Sequence, residues 1–263
     1  MADFGYFSQK IGGTIDRVLC ETFEKREHKL PKGRFVSFCF DDFPKSAATV
    51  AAPMLEQRGW RATWYVAGGF QGTTEPQYGE MFDDADLFRL RSTGHDFGCH
   101  TYDHIDCSEA SAEEIEEQCR LNMDFLAARG ITDVASFAYP FGAVSLASKK
   151  HFSLADFALR GVKPGLNRGD VDLNLLKACG LQTETGGTER ALSDLEALKD
   201  SDGWLIIFTH DVRNNPSPWG VTPDDYKDLL DEVDASGAAV LTVGDMVERM
   251  RRTPMQTSRP EAA

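Results

Sequence analysis

No run of about 18 apolar residues occurs in the chain, so no helix is expected to cross a membrane. The opening, MADFGYFSQKIGGTIDRVLCETFEKREHK, has neither the basic start nor the unbroken apolar stretch of an export signal. Positive charge is scarce: 28 Lys and Arg stand against 42 Asp and Glu, a net charge of −14. A surface of that sign repels nucleic acid and anionic lipid, and neither is an expected partner. The six cysteines, Cys20, Cys39, Cys99, Cys107, Cys119 and Cys179, form no Cys-x-x-Cys pair. That argues against a zinc ribbon and against a redox motif. With no export signal, reduced thiols in a cytoplasmic protein are the simplest account. Internal repeats and low-complexity linkers are also missing.

What the chain does contain is a core's worth of apolar residues, 41% of 263. An α/β barrel of about 250 residues commonly forms a single domain. The expected layout is one domain over 1–263, with a helical extension over about 1–30 and a flexible tail over about 251–263. In the extension, Phe7, Ile11, Ile15, Val18 and Leu19 have amphipathic helical spacing, suited to docking on the domain or to reversible membrane contact. Short apolar runs predict buried strands at Phe35–Phe40, Ala62–Val66, Asp96–Cys99, Ser136–Tyr139, Phe157–Val162, Trp204–Phe208 and Ala239–Val243. Helices are expected between them. Ser111-Ala-Glu-Glu114 reads as a capping box with Gly130 as the stop, and Thr222-Pro223 opens a helix that Gly237 ends. Further helices are expected near Ala47–Arg58, Asp83–Arg91 and Arg190–Lys199. This alternation fits a parallel barrel or a doubly wound open sheet.

Four short motifs follow predicted strands. Asp41-Asp42-Phe43-Pro44 places two adjacent carboxylates at a strand end, where they need a cation or donors; a solvated turn is the plainer reading. His100-Thr-Tyr-Asp-His104 has i, i+4 histidines that can share one metal, a spacing that also arises by chance. An Asp from elsewhere would complete a two-His, one-carboxylate set. Ala138-Tyr-Pro-Phe-Gly142 is a turn able to aim backbone N–H groups into a pocket, or simply a turn. Phe208-Thr-His210-Asp211 carries an imidazole that is either functional or a satisfied core residue. All four sit at strand C-terminal ends, the face on which barrel enzymes carry their sites.

In this order the motifs resemble those of the NodB-type polysaccharide deacetylases, carbohydrate esterase family 4. That family carries Asp-Asp-Gly-Pro, His-(Ser/Thr)-x-x-His, Arg-x-Pro-(Tyr/Phe)-Gly and Leu-x-His; here they read FDDFP, HTYDH, AYPFG and FTH. The resemblance spans about Phe35 to Asp211 and is closest in character to intracellular bacterial exopolysaccharide and holdfast deacetylases. It implies a distorted (β/α) barrel of seven or eight mostly parallel strands. It also implies a divalent metal, zinc by analogy, on Asp42, His100 and His104. Asp41 would be the general base and His210 the general acid, with the backbone N–H of Phe141 holding the oxyanion. The reaction would release acetate from N-acetylhexosamine units of a polysaccharide or of its lipid-linked precursor, and the second substrate allows peripheral membrane contact.

Supporting or substrate-binding roles fall to Thr101, beside the ligand loop; Pro140 and Gly142, which frame the turn; and Phe208, at the acetyl-methyl pocket. Tyr102 and Trp219 are candidates to stack on sugar rings or to pack. Three departures stand out. Phe43 replaces a Gly and is expected to close part of the groove. Ala138 replaces the Arg that pairs with the catalytic Asp; Arg168 is the expected substitute, a surface ion pair being its other reading. The Asp-x-x-x-Trp motif is missing, leaving Asp170 or Asp172 to orient His210. Two other functions stay open: a related metal-dependent amide or imide hydrolase, and an inactive saccharide-binding scaffold.

Overall fold

The computed structural model describes residues 18–153, 155–182 and 186–252. Its framework is a set of short strands buried on both faces: β1 (Arg34–Asp41), β2 (Thr63–Val66), β3 (Asp96–Cys99), β4 (Ser136–Ala138), β5 (Ala158–Arg160), β6 (Cys179–Gly180), β7 (Gly203–Thr209) and β8 (Ala239–Val240). Seven lie in the order β6-β7-β1-β2-β3-β4-β5, all parallel, and β8 joins the lower part of β1. The sheet curls into a half-barrel. A parallel bridge from Arg160 to Leu176 carries the pairing past β5, so residues 176–180 link the two edges. Helices surround it: α1 (Ala52–Glu56, entered through a π turn over Ala47–Ala51), α2 (Asp84–Ser92), α3 (Ala112–Ala127), α4 (Leu146–Phe152), α5 (Gly187–Lys199), α6 (Pro223–Ser236) and α7 (Val243–Arg252). This is the distorted (β/α) barrel the motifs imply.

The two-residue period of a strand decides which side chains reach the interior. Along β1, Phe35 and Cys39 join the interior cluster, while Val36, Phe38 and Phe40 face the helices. Asp41 ends the interior row at the C-terminal mouth. Trp204, Ile206 and Phe208 of β7 line the same interior.

The expected strand over Ala239–Val243 stops at Val240, and Val243 opens α7 instead. Val243, Met246, Val247 and Met250 then have helical i, i+3, i+4, i+7 spacing and pack beside Phe35 and Trp204. The Thr63 hydroxyl accepts from Val243 N–H at 2.9 Å and the Asp96 carboxylate from Gly244 N–H at 3.0 Å, which caps α7. The start signals for α3 and α6 hold: Ser111 accepts from Glu114 N–H, Thr222 accepts from Asp225 N–H, and Gly237 ends α6 at φ +65°.

Phe7, Ile11 and Ile15 lie outside the described residues, as does 253–263 of the expected tail; Arg251 and Arg252 complete α7. Val18 and Leu19 belong to a helical turn over 18–22. It is docked by the buried Lys149, whose ammonium donates to the carbonyls of Cys20 and Phe23 and to Asp172 Oδ2. Further on, Glu27–Lys29 is not helix but a strand, pairing antiparallel with Asp170–Asp172.

Neighbouring His95 and Asp96 make opposite contributions to stability. His95 Nδ1 accepts from Ala62 N–H and from Trp64 Nε1–H, both at 3.1 Å, which requires that nitrogen to be unprotonated. Burial lowers its pKa to about 4. Burial raises the Asp96 carboxyl to about 6. His95 therefore contributes stability above its ordinary pKa that is lost as pH falls toward 4, while Asp96 contributes stability below about 4 that is lost as pH rises through 6. Each is worth roughly 3 kcal/mol and they offset in the wild type. Relative to wild type, His95→Gln is expected to lose stability as pH rises from 4 to 6, and Asp96→Asn as pH falls across that window. Urea midpoints measured across this range check both slopes.

Candidate active site

Five of the six non-glycine residues with positive φ among those described cluster at the barrel mouth: Asp42 (60°), Phe43 (68°), Thr101 (57°), His104 (53°) and Phe141 (58°). Each costs backbone strain that the surrounding packing must sustain. Phe43 shows how. Its N–H bonds back to the Asp41 carbonyl, and its fully buried ring stacks on Phe82 at 4.5 Å and packs on Trp64 at 4.7 Å. Phe43 therefore anchors the turn in the core and does not close the groove.

That turn carries Asp42 to the histidines. Asp42 Oδ1 lies 3.0 Å from His104 Nε2 and 3.4 Å from His100 Nε2. His100 Nδ1 lies 2.8 Å from the Ala138 carbonyl, so it is the protonated nitrogen and Nε2 presents a lone pair to Asp42. Burial lowers the His100 pKa, which favours the neutral ring. Burial would raise the Asp42 carboxyl, but the histidines around it, His104 foremost, hold it well below the usual range. The result is a buried carboxylate oxygen with no hydrogen-bond donor, facing an imidazole lone pair. Such groups repel unless a cation lies between them. One ligand atom from each of Asp42, His100 and His104 lies within 4.8 Å of the others, so the donor set fits a divalent metal. The Thr101 hydroxyl accepts from Ile105 N–H at 3.0 Å and pins the loop between the histidines.

Asp41 is 3% exposed, and its Oδ2 is bound by Arg160 Nη2 at 2.5 Å. Arg160 is completely buried, its guanidinium 5.0 Å from the Tyr65 ring and 4.6 Å from the Phe208 ring. Burial alone would lower its pKa, and Asp41, with smaller contributions from Tyr65 and Cys39, raises it above the ordinary value. Asp41 Oδ1 has no partner. Opposite, His210 Nδ1 lies 3.3 Å from the Trp219 carbonyl and Nε2 3.9 Å from Asp42 Oδ2. The Phe141 ring stands edge-on to His104 at 4.4 Å and is 54% exposed, within the turn framed by Pro140 and Gly142.

Comparison with known proteins agrees with this geometry. Residues 28–158 match the family described as polysaccharide deacetylase. The chain carries a polysaccharide deacetylase domain. A bifunctional xylanase/deacetylase of Pseudobutyrivibrio xylanivorans is 21% identical over 215 residues; the alignment covers 82% of this chain and 31% of that protein. The fold is shared with the Xyl-CE4 domain of a multidomain xylanase from the hindgut metagenome of Trinervitermes trinervoides: TM-score 0.59, 17% identity, 84% and 93% of the two chains covered. It is shared also with a CE4 family pseudoenzyme from Bacillus anthracis: TM-score 0.55, 12% identity, 82% and 66% covered. Deacetylases of this family use a divalent metal and act on acetylated polysaccharides.

Two sequence expectations for this site change. The cation beside Asp41 is Arg160, not Arg168. Arg168 donates to the Ala197 carbonyl and packs near Gly203, at the start of β7 and so at the opposite barrel end. Neither Asp170 nor Asp172 orients His210. Asp170 pairs with Lys29 in the antiparallel ribbon, and Asp172 accepts from Arg26 N–H and Lys149; the Trp219 carbonyl takes that place. Tyr102 packs its ring on Phe125 and over Gly68. Trp219 stays 39% exposed beside His210. Two residues of this cluster escaped sequence reading: Arg160, the single charge in the run Phe157–Val162, and Tyr78, in a loop with no motif.

Proposed function

We propose that this chain is a metal-dependent N-deacetylase that hydrolyses the acetamide of N-acetylhexosamine units in an oligo- or polysaccharide, releasing acetate. The observation that carries the reading is the buried Asp42 carboxylate facing bare imidazole nitrogen, with Asp41 and His210 on either side. Asp42, His100 and His104 would hold a divalent cation, zinc in this proposal, which would supply Lewis acidity toward the attacking water and the acetyl carbonyl. Arg160 holds Asp41 Oδ2, which leaves Oδ1 to take the proton from the attacking water. The Phe141 backbone N–H is assigned to the developing oxyanion. His210, fixed at Nδ1 by the Trp219 carbonyl, delivers a proton from Nε2 to the departing nitrogen as the C–N bond breaks. Acetate and a free amine result. The exposed ring of Trp219 suits a sugar face.

No helix among the described residues is long and apolar enough to cross a membrane. The setting proposed for the enzyme is the cytoplasm, with a lipid-linked precursor as substrate before export. The test is acetate release from N-acetylated chito-oligosaccharides, coupled to metal analysis. Chelation is expected to abolish release, and added zinc or another divalent ion to restore it. A protein that binds metal but frees no acetate from any N-acetylated glycan would instead be a saccharide-binding scaffold, the reading favoured by the pseudoenzyme of the same fold.

A further inference from the structure

The loop after β2 carries a small hairpin, Thr74–Glu75 against Gly79–Glu80, whose turn sends Tyr78 into the site. Tyr78 is 6% exposed. Its ring lies parallel to and offset from the His210 imidazole, centroids 5.5 Å apart and planes 8° from parallel. It meets Trp219 edge-on at 6.1 Å.

The hairpin is clasped from the far side of His210. Arg213 Nη1 donates to the Tyr78 carbonyl at 3.0 Å and Nη2 to the Gln77 carbonyl at 2.5 Å. Arg213 also pairs with the fully buried Asp211, with Nε 2.7 Å from Oδ2. Asp211 accepts from the backbone N–H and hydroxyl of Ser217, and this sets the loop that brings the Trp219 carbonyl to His210. Both holders of His210, the carbonyl on its edge and the phenol ring on its face, are thus tied to Asp211 and Arg213.

A single hydrogen bond to a carbonyl fixes one ring nitrogen but lets the imidazole swing about that contact. A parallel aromatic ring on one face removes the swing. We propose that Tyr78 is a positioning residue: its ring sets the imidazole plane of His210 so that Nε2 meets the leaving nitrogen, and Arg213 holds the hairpin in place to do so. This rests on His210 acting as the general acid.

The test separates acid catalysis from general damage by leaving group. An acetamide needs its nitrogen protonated; 4-nitrophenolate leaves 4-nitrophenyl acetate without a proton. Tyr78→Leu is expected to lower kcat on an N-acetylated chito-oligosaccharide by roughly 10- to 100-fold with KM little changed, and to leave aryl ester hydrolysis and metal content close to wild type. Tyr78→Phe, which keeps the ring, is expected to restore most of the amide activity. Arg213→Gln is expected to follow the pattern of Tyr78→Leu more weakly. Equal losses on both substrates, or a Tyr78→Phe as impaired as Tyr78→Leu, overturn the proposal while leaving the deacetylase reading intact. A wild-type protein that hydrolyses the ester but frees no acetate from the sugar overturns the deacetylase reading, and this inference with it.

Discussion

Asp41→Asn is expected to retain its divalent metal and to lose roughly 10³-fold in acetate release. The proposed ligands Asp42, His100 and His104 come from neighbouring loops and do not depend on the Asp41 charge for their approach to one another. What the substitution removes is the proposed base. Oδ1 is the atom that no protein donor occupies, and an asparagine in its place has no lone pair basic enough to take a proton from water. Metal content by elemental analysis and turnover by acetate assay check the two halves separately. Loss of both together would mean that Asp41 supports the metal, and equal turnover would remove it from the chemistry.

The other large effect concerns Arg160. Arg160→Met leaves Asp41 buried without its counter-charge, which is expected to cost about 3–5 kcal/mol of stability. The diagnostic is the double variant. Asp41→Asn with Arg160→Met removes both charges and is expected to regain most of that loss, because burying neither charge costs less than burying one. Urea unfolding of the four proteins in this cycle measures the coupling. A double variant no more stable than Arg160→Met alone would mean that the guanidinium acts through its packing on Tyr65 and Phe208 rather than through its charge.

These two residues mark the limit of what the sequence made legible. Strands appeared as apolar runs, and three of the four motifs carried their acids and imidazoles within a few residues of a strand end, so Asp41, Asp42, His100, His104 and His210 could be picked out as a group, with roles implied by the resemblance. Arg160 could not. It stands on β5, far from β1 in the strand order, and only the curvature of the sheet brings it to Asp41. A local reading looks for a cation in a nearby polar loop and finds Arg168, which the barrel puts at its other end. Tyr78 was hidden for a related reason: a hairpin of two-residue strands is defined by pairing, not by composition. The C-terminal helix α7 had a readable period, but the apolar run before it drew the strand boundary too far. The Asp-x-x-x-Trp motif left no trace because a backbone carbonyl, which any residue supplies, does the orienting.

The left-handed residues around the mouth bear on how this protein can change over generations. Heat tolerance alone would favour relaxing those positions toward glycine or asparagine, which accept such torsions at little cost. Asp42 and His104 are two of the proposed donors to an ion, so that route is closed at both. At Phe43 a glycine would ease the turn but empty a slot between Phe82 and Trp64. Robustness is thus more readily gained in the outer helices than at the rim of the proposed metal site.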